Sequence, residues 1–192
     1  MRIQLSDHFT YPKLLRFVLP SIIMMICTSI YSIVDGLFVS NYVGKTPFAA
    51  VNLIFPALMV MGTVGFMIGT GGSAIVAKTL GRGDRKNANR YFSMLIYTAI
   101  IFGAALSVPG FIFIRPISIA LGATGEMIDY CVLYGRILIA GQTAFILQNV
   151  FQSFFVVAEK PHLSLALSIA AGLTNFVLDF LFIAVFQWGL AG

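Results

Sequence analysis

Long stretches without a single charge constrain this chain more than any other feature. No charge occurs from Thr46 to Ala77 or from Tyr91 to Ile114, and only Arg136 interrupts the stretch between Asp129 and Glu159. Each exceeds the ~20 apolar residues with which a helix crosses the hydrocarbon core of a bilayer. The composition agrees: 59% of residues are hydrophobic and 10% charged, against nearer ~25% charged in a soluble domain. The chain is therefore read as an all-α polytopic membrane protein. Five transmembrane helices are expected at 14–42, 47–79, 88–114, 126–158 and 161–187, with the lipid bilayer as their solvent. Residues 1–13 form a short N-terminal segment with Leu5, Phe9 and Tyr11 on an apolar side, and 188–192 form an external turn.

Two carboxylates stand out against this background. Asp35 is the only charge between Arg16 and Lys45, and Asp179 is the only one after Lys160. A carboxylate at the bilayer centre costs about 2.5–3.5 kcal/mol on insertion scales, so such residues usually face a cavity and mark an ion or proton pathway. The bland alternative is a protonated Asp bonded to a neighbouring helix as glue.

The remaining charges report topology. Arg2, Lys13, Arg16, the Lys78–Arg90 cluster and Lys160 fall on one side, Lys45 and Arg115 on the other. The positive-inside rule puts the N-terminus in the cytoplasm. A basic excess distributed this way excludes a nucleic-acid partner. Cys27 and Cys131 lie inside spans, so no disulfide framework is indicated, and neither His8 nor His162 belongs to a metal-ligand cluster. Gly69-Thr70-Gly71-Gly72-Ser73 sits inside an apolar helix, where close helix packing explains it better than nucleotide binding. Gly81–Arg85 and Glu159–Pro161 are chain reversals, and 115–125 is a longer external connection.

At ~1.5 Å of rise per residue, Asp35 lies roughly 10 Å below the outer end of its span, and Asp179 and Tyr134 about 12 Å below theirs. Three polar groups from three helices thus share one level. Tyr31 is four residues from Asp35 and Asn175 four from Asp179, which puts each pair on one helical face. Removing a carboxylate from water disfavours its charged form, and a second one nearby adds to that. Such a pair can load and release a proton, and Asp35, Asp179, Asn175 and Thr174 together offer oxygens suited to Na⁺. Gln142, Gln148, Asn149 and Gln152 place amides along the fourth span, as cavity lining or as interhelical glue. Pro20 removes a helical hydrogen bond and marks a hinge or a static bend. Arg136 reads as a counter-ion to the Asp pair or as a cation snorkelling toward Asp129.

Leu19-Pro20 followed by Asp35-Gly36, then Gly69–Ala77 leading into Leu80-Gly81-Arg82-Gly83-Asp84, then Asn175-Phe176-Val177-Leu178-Asp179 run in this order along nearly the whole chain. In that order they resemble the N-terminal lobe of the multidrug and toxic compound extrusion (MATE) family, nearest its bacterial multidrug branch. The resemblance implies a twelve-helix exporter of two six-helix lobes, with small organic cations as substrates and H⁺ or Na⁺ as the coupling ion, and no other cofactor. It implies Asp35 as the principal protonatable residue, Tyr31, Tyr134, Asn175 and Asp179 as its partners, Pro20 as the bend of helix one, and Asn149 at a polar position of helix four. Five spans and an external end lead to the expectation of a lobe fragment whose reading frame continues.

A lipid-linked precursor flippase of the same superfamily would need a cationic cavity, and Arg136 is the only basic residue well inside a span. An intramembrane aspartyl protease also uses two membrane aspartates as a dyad. Its Gly-x-Gly-Asp motif is absent, since Ile33-Val34 precede Asp35 and Val177-Leu178 precede Asp179. A structural membrane subunit leaves both aspartates unexplained.

Overall fold

The computed structural model describes residues 11–191, so Leu5, Phe9 and the rest of the expected N-terminal segment up to residue 10 lie outside it. The described residues form six α-helices: α1 (Tyr11–Phe38), α2 (Lys45–Gly81), α3 (Arg85–Ala120), α4 (Glu126–Ala140), α5 (Gln142–Val157) and α6 (Pro161–Asp179). A π-helical segment extends α1 over Val39–Val43 and another extends α6 over Phe180–Val185. Among the described residues four helices are long and apolar enough to cross a membrane, and α4 with α5, bent by 52° at a short break, is long and apolar enough as a pair.

That bend corrects the expectation of one straight helix over 126–158. The break falls at Gly141, between Ala140 and Gln142. The long external connection is also shorter than expected. α3 runs through Pro116 to Ala120, leaving only residues 121–125, where Gly122 and Gly125 take positive φ. A proline is tolerated inside a membrane helix because neighbouring groups satisfy the carbonyl it frees. α1 likewise continues past Pro20 without a break.

The reversal between α2 and α3 is built from sequence chemistry. Gly83 adopts φ 81°, and Asp84 caps α3 by accepting from the Asn87 backbone N–H at 3.1 Å and from its Nδ2 at 2.6 Å. These bonds hold the Asp84 carboxyl below the usual carboxylate range. Its folded value is depressed, so its contribution is present above the unfolded value and is lost as pH falls through the folded one.

Packing divides the helices into two groups. α2 packs against α3, α4 and α5, whereas α1 is partnered chiefly by α6. One buried cluster joins Ala50, Ile54 and Leu58 of α2 to Ile114, Cys131 and Ile139. A second, toward the basic end, joins Val76, Ala88, Ala99, Ile146, Val150 and Phe154. The residues after the second π segment turn back onto α4 as a short 3₁₀ turn, Gly189–Ala191, with Trp188 stacked on Phe182 at 4.8 Å. Stacking of Trp188 on Phe182 anchors this turn.

Candidate functional site

α1 and α6 are held side by side at the level of the two aspartates. Gly172 makes room for the Tyr31 ring, since a Cβ there would lie 2.7 Å from Tyr31 Cδ1. Phe38 meets Phe176 edge-on at 5.8 Å. Asp179 is 6% exposed and Asp35 is half-buried. The two carboxyl groups lie within electrostatic reach of each other, and the phenol of Tyr134 on α4 lies within reach of both. The structure thus brings together the three groups whose depth matched in the sequence.

Their hydrogen bonding is sparse. Asn175 Nδ2 donates to Asp179 Oδ1 at 3.5 Å. Asp179 Oδ2 is buried without a hydrogen-bond partner. An orphaned buried oxygen costs about 1–3 kcal/mol. Both aspartates also sit at a change of helical register: the α-helix of α6 ends at Asp179, and that of α1 ends three residues after Asp35. The i+5 bonds Gly44 N–H to Val39 C=O (3.1 Å) and Phe186 N–H to Leu181 C=O (2.8 Å) belong to these wider turns. π segments of this kind occur frequently at functional sites.

Other expected members are placed differently. The Tyr31 hydroxyl donates to Thr28 Oγ1 at 3.2 Å and not to Asp35. Thr174 is exposed, and its hydroxyl donates to the Ala170 carbonyl at 2.9 Å. One residue before Asn175, it is turned off the buried face and does not join an oxygen set for Na⁺. Among the described residues, no group of three or more His, Cys, Asp and Glu is placed to hold a metal ion. Of the amides of the fourth span, Gln148 and Gln152 line a cavity of about 310 Å³ between α5 and α6. Asn149 is buried against α2, donating to the Phe145 carbonyl at 3.0 Å. Gln142 is buried at the bend with its Nε2 unpartnered. Arg136 is exposed and lies over the Phe111 ring, 5.2 Å from its centroid, where an aromatic face on α3 stabilises the guanidinium.

Sequence reasoning missed a polar stripe. Ser164, Ser168, Gly172, Asn175 and Asp179 fall within an arc of roughly 80° at 3.6 residues per turn. Ser164 and Ser168 are 6% and 8% exposed. Met24 of α1 also belongs here: its sulfur accepts from Gln152 Nε2 at 3.2 Å and from the Ser164 hydroxyl at 3.4 Å. The spacing of the stripe was available in the sequence, whereas a thioether gives no polar signal.

A multi-pass helical body that gathers two carboxyl groups and a phenol from three helices has the architecture of a membrane transporter. The family model described as MatE matches residues 20–181, and the chain belongs to this family of transporters, multidrug and toxic compound extrusion. It is 25% identical over 174 residues to the multidrug export protein MepA of Staphylococcus haemolyticus, covering 91% of this chain and 38% of that protein. To MepA of Staphylococcus aureus (strain MRSA252) it is 23% identical over 182 residues, covering 95% and 40%. Among solved structures, a MATE in the straight conformation superposes with TM-score 0.85 at 25% identity, covering 92% of this chain and 39% of that one. An outward-facing multidrug resistance MATE family transporter gives 0.86 at 25% identity and the same coverage. The chain thus spans about 40% of the length of the relatives it matches.

Proposed function

We propose that this chain forms one lobe of a cation-coupled antiporter that exports organic cations, working with a second helical lobe. The convergence of Asp35, Asp179 and Tyr134 from α1, α6 and α4 carries this reading. Asp35 and Asp179 load and release the coupling ion, H⁺ or Na⁺. Asn175 holds one oxygen of Asp179, and Pro20 is the point at which α1 bends during the cycle. Gln152 faces the α5–α6 cavity on the substrate path. Arg136 is exposed and stacked on the Phe111 ring of α3, and a flippase reading that relies on several cationic cavity walls has this one basic residue well inside a span to rest on.

The test is transport in proteoliposomes containing both lobes, with a cationic dye and an imposed pH gradient or Na⁺ gradient. Dye movement driven by one gradient and not the other identifies the ion. Movement indifferent to both would end the antiport reading.

Orientation is part of the same proposal, with the N-terminus and the Lys78–Arg90 end in the cytoplasm of a cell-membrane protein. Lys45 and Arg82 are both exposed, at opposite ends of α2. Lys45→Cys in intact cells is expected to react with a membrane-impermeant thiol reagent, and Arg82→Cys only after permeabilisation. The reverse pattern would invert the topology.

A further inference from the structure

At the basic end of the bundle an apolar cavity of about 310 Å³ opens between α2, α3 and α5. Its walls include Val76, Leu80, Phe92, Phe151, Phe154 and Val157, with Asn89 as a polar side chain at its edge. The aromatic wall is fixed by its own contacts, Phe92 standing edge-on to Phe154 at 4.8 Å. The volume is at the low end of the roughly 300–1,000 Å³ of small-molecule sites. It accommodates part of one acyl chain, and nothing in its lining asks for a polar ligand.

The rim has the opposite character. Arg85 and Lys86 lie four and three residues before Asn89, on the same face of α3. Lys160 lies two residues beyond Ala158, which lines the cavity at the end of α5. Lys78, Arg82 and Arg90 complete an exposed basic collar. Among the described residues the acids at this end are Asp84, which is engaged with Asn87, and Glu159, against six basic residues.

We propose that this groove binds one anionic phospholipid of the adjacent leaflet, an acyl chain lying against Phe92, Phe151 and Phe154 and the phosphate-bearing headgroup on Arg85, Lys86 and Lys160. Basic clusters just beyond the end of a membrane helix attract anionic headgroups. Here an apolar slot lies directly beneath such a cluster, which gives the lipid a defined seat. The proposal does not depend on the transport reading, because it concerns the opposite end of the helices from the aspartates.

Native mass spectrometry of the protein released from micelles holding equal phosphatidylglycerol and phosphatidylcholine, with identical acyl chains, tests it. The wild type is expected to retain one phosphatidylglycerol in preference to phosphatidylcholine. A basic group near an anionic surface contributes about 1 kcal/mol, roughly fivefold in affinity, so Arg85→Gln with Lys86→Gln is expected to lower that preference roughly thirtyfold. Ala158→Trp, which fills the mouth of the groove, is expected to reduce retention of both lipids. Lys45→Gln with Arg115→Gln, at the far end, is expected to change neither. Equal retention of both lipids by the wild type overturns the proposal. So does a preference unchanged in the Arg85/Lys86 variant. Displacement of the lipid by glycerophosphoglycerol without chains would show that the groove contributes nothing. Retention of no lipid at all, the result if another helix fills the groove, also overturns it.

Discussion

Asp35→Asn is expected to reduce export of cationic dyes to the level of cells lacking the transporter, with expression and membrane insertion near normal. The amide preserves the shape of the side chain but cannot cycle between charged and uncharged states. Asp35 makes no side-chain hydrogen bond among the described residues, so the substitution removes a titrating group without stranding a partner. Asp179→Asn is expected to impair export as well, and to a smaller degree, because Asn175 can still pair with an amide oxygen at that position. The double variant should be little worse than Asp35→Asn alone, since groups acting as one unit are not additive. Thr174→Val serves as the contrast. Its hydroxyl is engaged with the Ala170 carbonyl, so export should be unchanged. Dye efflux from energised cells, with expression checked by blot, measures all four. Wild-type efflux in Asp35→Asn would return both aspartates to a structural role.

The number of crossings and the two aspartates were legible because each is a large signal against its background. A run free of charge has few alternatives to a membrane helix, and a charge inside such a run is conspicuous. Tyr134 was found by depth alone, which works when opposed helices start at known ends. Local geometry was not legible. Gly141 lies at the end of the apolar run Ile137–Ala140 and just before Gln142, and glycine in a membrane helix also serves close packing. Pro116 has the same signature as a loop proline, yet α3 passes through it. Tyr31 could reach back to Thr28 or forward to Asp35, since residues three and four apart are both neighbours on a helix, and only the fold selects Thr28. The serines of α6 were overlooked because a membrane serine usually bonds its own preceding turn. Ser164 instead reaches Met24 on another helix.

Gly65→Ala is expected to be the most damaging single methyl addition in α2. A Cβ there would lie 2.9 Å from the Ile146 carbonyl oxygen and 3.0 Å from its Cα. Both are backbone atoms of α5 and cannot rotate aside, so α2 and α5 must separate along the interface that Gly62, Gly65 and Gly69 share. Overpacking of this kind costs typically about 1–3 kcal/mol, only partly offset by the roughly 0.5–1 kcal/mol that alanine gains over glycine in a helix. Gly72→Ala should cost less, because its near neighbours are the terminal carbons of Leu95, which can change rotamer. Gly71→Ala meets nothing within 4 Å, and is expected to be neutral or slightly stabilising. Thermal unfolding of the purified variants in detergent should therefore rank Gly65→Ala below Gly72→Ala and Gly72→Ala below Gly71→Ala. Equal midpoints for Gly65→Ala and Gly71→Ala would mean that the glycine face does not set the distance between α2 and α5. In that case the bend at Gly141, which directs α5 onto α2, would have to be held by the buried contacts of Ile139 and Ile146 instead.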